Sequence, residues 1–254
     1  SDIQEVTAPP PLPREPVWTD AERLKGEKDT LGLYLTGHPI DSYRDELKRY
    51  TPKTLGDLSE TSYGETVFFA GLILDVANFG NRSVITLDDG TGRIEVSCYA
   101  ERFARVKDKL KVETVVIIDG SIRERDGTFY ASLQEVMTLT DARKRWLKKI
   151  SIKIAGHDMA LFEQIQQLLA TANNSTIHYL SHQFNPPADN TQFADSQPAN
   201  ALAQLGVPIN LCVYNDYAIA HLNMPTHWQI VPTEENFGKL KSLVNEEDLH
   251  LHFS

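Results

Sequence analysis

At 254 residues, 41% hydrophobic and 24% charged, with a formal net charge of −10, the chain has an ordinary soluble composition and room for one large domain or two to three small ones. No apolar run approaches the roughly twenty residues that span a bilayer, and the acidic, Pro-rich start is no signal peptide. Cys98 and Cys212 are too few and too far apart for a disulfide framework or a zinc site, so the expected compartment is a reducing cytoplasm. The charge is uneven: residues 1–20 carry a net −3, residues 21–150 balance, and residues 151–254 carry −7. Phosphate binding depends on Lys and Arg that release counterions, so the last hundred residues look better suited to a protein partner than to nucleic acid.

Residues 1–18 read as a linker, because Pro9-Pro10-Pro11-Leu12-Pro13 and Pro16 favour extended geometry. The start at Ser1 rather than Met suggests a piece of something longer. A helical segment is expected over 19–61. Thr19-Asp20-Ala21-Glu22 has the capping-box pattern, and Gly37 followed by Pro39 is a stop signal. A second helix is expected from about Ile40 to Tyr50, with Tyr43, Leu47 and Tyr50 on one face.

Residues 62–140 carry five short strand patterns with one helix between the third and fourth. Thr66–Leu74 is apolar and β-prone, and Ser83–Leu87 follows a turn at Phe79-Gly80-Asn81. Asp88-Asp89-Gly90-Thr91-Gly92 is a tight turn, since Asp bonds its own backbone and Gly supplies positive φ. Arg93–Tyr99 alternates with period two, and Glu101–Leu110 has helical spacing through Phe103, Val106 and Leu110. Val112–Ile122 and Thr128–Met137 flank a turn at Asp126-Gly127. This order is that of the OB-fold, a small closed barrel that binds single strands or oligosaccharides.

Thr140–Lys149 is a basic run read as a turn or solvated connecting helix, with Trp146 free to touch a strand. Residues 141–254 read as a small α+β domain. Ile150–Ile154 alternates as a strand, Met159–Ala170 is an amphipathic helix, and Thr176–Leu180 is a strand candidate. A flexible polar insertion is expected over 183–206. Ile209–Tyr214, Ala218–Leu222 and His227–Val231 are further strands. Thr233 caps a helix over Glu235–Val244, and Leu249, Leu251 and Phe253 alternate with His250 and His252 in a last strand. The fold class is therefore mixed and multi-domain: a helical lead-in, an all-β five-stranded OB barrel, then a small α+β domain.

The run Glu27–Ile40, containing Thr30-Leu31-Gly32-Leu33-Tyr34-Leu35-Thr36-Gly37-His38-Pro39-Ile40, resembles a signature of the bacterial DNA polymerase III alpha subunit family. There it sits just ahead of an OB-fold domain. Leu87–Val96 is similar to that family's turn between strands 2 and 3, and Trp228–Phe253 resembles the family's C-terminal stretch. The resemblance implies a non-catalytic part of a DNA-directed DNA polymerase, whose Mg²⁺-binding acidic residues lie upstream, so neither catalytic residues, metal ligands nor a cofactor are expected here. It also implies weak contact of the barrel with single-stranded template and binding of the C-terminal domain to the tau subunit of the clamp loader. A sliding-clamp peptide precedes the signature in the family, but Ser1-Asp2-Ile3 lacks its leading Gln, so clamp binding is not expected.

On an OB barrel, strands are held across strands 2 and 3 and the loops between strands 1–2 and 4–5. Those positions here are Phe79, Asn81 and Arg82, then Arg93 and Tyr99, then Arg123, Arg125 and Phe129. Rings offer stacking surfaces and arginines pair with phosphates. The competing reading packs Phe79 and Phe129 over the barrel end and pairs the arginines with Glu95, Glu124 or Asp126. The net −3 of residues 62–138 favours weak contact. Asp88, Asp89 and Glu95 are read as turn and surface groups, His221, His227, His250 and His252 as surface histidines, and Cys98 as a core thiol. For tau the candidates are Phe237, Leu240, Val244, Leu249, Leu251 and Phe253. The alternatives are an anticodon-binding type of OB module or a protein-binding scaffold that never touches DNA.

Overall fold

The computed structural model describes residues 37–60, 63–125, 128–183 and 206–254. The Pro-rich stretch, most of the signature, the Asp126-Gly127 turn and most of the 183–206 insertion lie outside them.

Five strands close into a barrel in the order β1-β2-β3-β5-β4: β1 (Thr66–Phe79), β2 (Arg82–Asp88), β3 (Arg93–Tyr99), β4 (Val115–Arg125) and β5 (Thr128–Thr138). The long β1 serves two neighbours, pairing β4 through Thr66–Leu72 and β2 through Leu72–Phe79, and it bends at a register shift between Ile73 and Asp75. Alternation fills the interior: Ile94, Val96 and Cys98 of β3 are buried, as are Ile85 and Leu87 of β2 and Val116, Ile118 and Ile122 of β4. Close packing sets one small residue, because a Cβ on Gly120 would sit 2.9 Å from the Phe69 ring. Helix α2 (Ala100–Val106) and a 3-10 turn at Lys107–Lys109 replace the single helix expected over 101–110. Glu113, at φ 65°, turns the chain so that β4 begins at Val115 rather than Val112.

The lead-in is a 3-10 turn (Pro39–Tyr43) followed by a short α1 (Arg44–Leu47), not one helix to Tyr50. Its apolar side chains still converge, with Ile40, Leu47 and Tyr50 packing against Ala70, Ile117, Met137, Leu139 and Ala142. The barrel leads into α3 (Leu139–Trp146), capped by Thr138, whose hydroxyl accepts from Asp141 N at 3.1 Å. The basic run is thus not a solvated connector: Ala142 and Arg143 are buried, and Trp146 stacks on Tyr50 with centroids 5.1 Å apart. The boundary expected at 140/141 falls inside α3.

A second sheet has the order β10-β6-β7-β8, built from β6 (Leu147–Ala155), β7 (Val207–Tyr214), β8 (Ile219–Leu222) and β10 (Leu249–Phe253), with β9 (Gln229–Ile230) pairing β7. β6 and β7 are parallel, joined through a crossover that contains α4 (Met159–Gln183). α4 absorbs Thr176–Leu180, which the β-branched residues had suggested as a strand; local propensity is a weak prior that the continuing backbone ladder overrides. α4 and α5 (Glu234–Leu243) lie on one face, where Ile165, Leu169, Phe237 and Leu240 pack onto Ile150, Ile152, Ile209 and Leu211. Among the described residues, no helix is long and apolar enough to cross a membrane.

Candidate nucleic-acid interface

The outer face of the barrel follows from strand register. Arg82 pairs with Tyr99 across β2 and β3, and β3 runs parallel to β5 with Glu95 opposite Tyr130 and Ser97 opposite Ser132. β4 then places Arg123 opposite Tyr130. Since facing residues share a side of the sheet, Arg82, Tyr99, Ser97, Ser132, Tyr130 and Arg123 surround one shallow groove of about 210 Å³. Two serines form the floor, and two tyrosines and two arginines the walls. Cys98 also reaches the groove, but its thiol belongs to the core and burial pushes its pKa up, which keeps it protonated at neutral pH.

Exposed rings surround this groove: Tyr99 is 74% exposed, Phe79 at the end of β1 is 65%, and Tyr63 ahead of β1 is 70%. Phe79 pairs with Arg82, so its ring flanks the groove. Tyr63 lies under the Arg123 guanidinium, 5.3 Å from carbon to ring centroid. Asn81 holds the β1–β2 turn against α2, its carbonyl accepting from Ala100 N at 2.8 Å.

Two expected contacts do not join the groove. Arg93 lies at the far end of β3 from Tyr99, about 20 Å away at the rise of a strand, and it is paired with Asp88 at 3.0 Å. Phe129 is half-buried and packs against the barrel core, so it offers no free stacking face. Arg125 ends β4 opposite Thr128, and its side chain lies outside the described residues. Tyr63, Tyr130 and Ser132 were not among the expected contacts. Period-two alternation along Thr128–Met137 would have pointed Tyr130 and Ser132 outward, whereas their approach to β3 depends on a parallel pairing that no local pattern signals.

The opposite end of the barrel is occupied by its own chain. Asp89 is buried, and its carboxylate accepts from Thr91 N, Thr91 Oγ1 and Gly92 N at 2.6–3.0 Å and from Leu55 N at 2.9 Å. Arg44 donates to the Asp89 carbonyl at 2.8 Å, and His38 Nε2 stands 3.2 Å from Asp88. The Asp88–Gly92 turn is therefore a docking post for the lead-in, with its carboxylates engaged by amides and side chains. Gly90, at φ 81°, gives the turn its left-handed step. A larger cleft of about 1040 Å³ lies between the lead-in, the β4 side of the barrel and the start of α5, with charges of both signs from Lys109, Lys111, Glu234 and Glu235.

The residues expected to meet tau divide by burial. Phe237, Leu240 and Val244 are 2%, 0% and 3% exposed within the second core, so they cannot meet a partner in the folded chain. The apolar stripe that suggested them is the face α5 turns to its own sheet. Leu249, Leu251 and Phe253 are half-buried against the same core. Among the described residues of this region, the large exposed apolar side chains are Met159 at the start of α4, at 58%, and three on the β7–β8 hairpin: Tyr217 at 95%, Ile219 at 62% and Leu222 at 43%.

Residues 67–139 match the family described as the OB-fold nucleic acid binding domain. The chain is 31% identical to the DNA polymerase III subunit alpha of Vibrio cholerae over 248 residues, which is 94% of this chain and 19% of that protein. It is 29% identical to the same subunit of Haemophilus influenzae over 247 residues, with the same coverage. Over 140 residues, 52% of this chain and 12% of the relative, it is 39% identical to that of Pseudomonas aeruginosa. The chain thus spans about a fifth of the length of the curated relatives that match nearly all of it. Among solved structures, a Replication Protein A heterotrimer bound to ssDNA aligns at 13% identity and a TM-score of 0.30, covering 35% of this chain and 80% of that one. An OBody bound to hen egg-white lysozyme aligns at 22% identity and a TM-score of 0.28, covering 30% and 81%. By similarity along almost its whole length, and by a closed OB barrel at residues 67–139, this chain is a homologue of the C-terminal region of DNA polymerase III alpha subunits.

Proposed function

We propose that this chain is a non-catalytic C-terminal part of a replicative polymerase alpha subunit, whose barrel weakly steers single-stranded template. The observation that carries this reading is the groove in which Arg82, Tyr99, Arg123 and Tyr130 converge over Ser97 and Ser132. Aromatic walls accept bases of any sequence, and the arginines pair with phosphates. The acidic barrel keeps the contact weak, as suits a strand that must slide. Labelled oligothymidine titrated at about 50 and 200 mM salt tests it. Binding should weaken with salt, and Arg82→Ala together with Arg123→Ala should lower the salt slope by about 1.4. No binding even at low salt would favour the scaffold reading. Tyr99→Ala should remove about 1–3 kcal/mol of binding, the worth of one stacked base.

The resemblance further supports tau binding by the α+β region, and polymerase activity with Mg²⁺ for the longer protein. With Phe237, Leu240 and Val244 in the core, the hairpin edge at Tyr217 and Leu222 offers tau an exposed apolar surface. A pull-down with tau should lose most of its yield on Tyr217→Ala with Leu222→Asp. Undiminished capture by that variant would move the site elsewhere, whereas no capture by the unaltered chain would remove tau as the partner.

A further inference from the structure

The second sheet has one face under α4 and α5 and another whose side chains are exposed or half-exposed. Register assigns that outer face. Lys149, Ser151 and Lys153 of β6 stand beside His252 and His250 of β10 on one side. On the other side they stand beside Asn210, Cys212 and Tyr214 of β7, which in turn face His221 and Ile219 of β8. No strand position on this face carries a carboxylate. The acidic residues of the described region lie elsewhere: Glu163 on α4, Glu234 and Glu235 on α5, Asp158 and Asp216 in turns, and Glu246, Glu247 and Asp248 in the 3-10 turn before β10. The net −7 of residues 151–254 therefore hides a face of uniform sign, since charges sum over a domain but a ligand meets one surface.

We propose that this open face is a second contact surface for a single-stranded nucleic acid, separate from the barrel groove. Lys149 and Lys153 supply phosphate partners. The half-exposed Tyr214 supplies a ring on this face, with the Lys153 ammonium 4.8 Å from its centroid. Ser151 and Asn210 supply hydrogen-bonding edges between them. Sheet faces that combine aromatic, cationic and small polar residues are a recurring platform for unstacked bases. An acidic protein segment shares the charge complementarity but needs apolar pockets for its anchors, and Ile219 is the sole aliphatic side chain longer than alanine on these strand positions.

His252 makes the surface respond to pH. It stands opposite Lys149, and burial together with Lys149 and His250 lowers its pKa. His252 Nε2 is 2.8 Å from Ser151 Oγ. Burial and the facing cations hold the proton off His252, and a phosphate placed beside it returns that proton. The groups on this face that titrate or carry charge are Lys149, Lys153, His221, His250, His252, Cys212 and Tyr214, with Asp216 and Glu246–Asp248 at its margins. Binding should therefore tighten as pH falls through the histidine range.

The test is a titration of the full chain with labelled oligothymidine at about pH 7.5 and about pH 6, across salt. Affinity should rise about threefold or more at the lower pH, and His250→Gln with His252→Gln should remove that gain. Lys149→Gln with Lys153→Gln should reduce the salt slope by about 1.4, the value for two phosphates on a single strand. Arg82→Ala with Arg123→Ala should lower overall affinity but keep the gain at low pH, which distinguishes failure of the barrel reading from failure of this one. Circular dichroism melting of each variant confirms that it is folded, as expected for exposed positions. The proposal is overturned if the lysine or histidine variants bind like the unaltered chain, or if the barrel variant abolishes the pH response. It is equally overturned if polyglutamate displaces the oligonucleotide at matched charge, since that assigns the face to an acidic protein.

Discussion

His38 shows how one side chain can tie a sequence signature to a fold. It caps the first turn, its Nδ1 accepting from Ile40 N at 3.2 Å while Asp41 accepts from His38 N at 2.8 Å, and its other ring nitrogen faces Asp88. Burial lowers its pKa, outweighing the opposing pull of Asp88 and Asp41. A base whose folded pKa is depressed adds stability above its unfolded pKa, near 6.5, and loses it as pH falls through the folded value. Melting temperature should therefore drop more steeply below about pH 6.5 for the unaltered chain than for His38→Gln. Parallel curves for the two proteins would show that His38 does not titrate in this way.

The Asp88–Gly92 turn carries both a strand reversal and the lead-in, which explains why the signature and the barrel adjoin in the chain. Asp89 alone satisfies four donors, one of them the Leu55 amide 34 residues upstream. Replacing Asp89 with Ala leaves buried donors unpaired and should destabilise the chain by about 3 kcal/mol, read by urea unfolding. The turn was legible because Asp and Gly act on their own backbone. Its role as a post was not, because Leu55 and Arg44 reach it from another element. α4 illustrates the converse, where a β-branched local pattern yields to a helix that the chain continues to Gln183.

Arg143 joins the parts of the molecule. It is 2% exposed, and its guanidinium donates to both Glu46 oxygens at 2.6 and 2.7 Å and to Glu234 at 2.5 Å while lying 4.2 Å from the Phe237 ring. Lead-in, α3 and α5 meet at this one cation. Tyr50 closes the network by donating to Glu46, and burial with Glu46 pushes its pKa upward. Arg143→Met should cost about 3–5 kcal/mol, because it leaves Glu46 buried and uncompensated. Arg143→Met with Glu46→Met should recover most of that loss in thermal melts, since an apolar pair of similar volume needs no counter-charge. If the double variant is no more stable than the single one, the penalty is not electrostatic.

Alternation along β3, the turn residues between β2 and β3, the Thr233 cap and the succession of barrel strands along the chain were readable because each depends on neighbours in the chain. So was the outward side of Tyr99. The parallel approach of β5 to β3, which adds Tyr130 and Ser132 to the groove, depends on pairing across 35 residues. The burial of Phe237, Leu240 and Val244 depends on a sheet that covers them, and an apolar stripe looks the same whether it is covered by its own fold or by a partner. Arg143 read as one cation in a basic run because its partners lie 97 and 91 residues away. Local chemistry fixes which way a side chain points, while packing between distant segments decides what it meets.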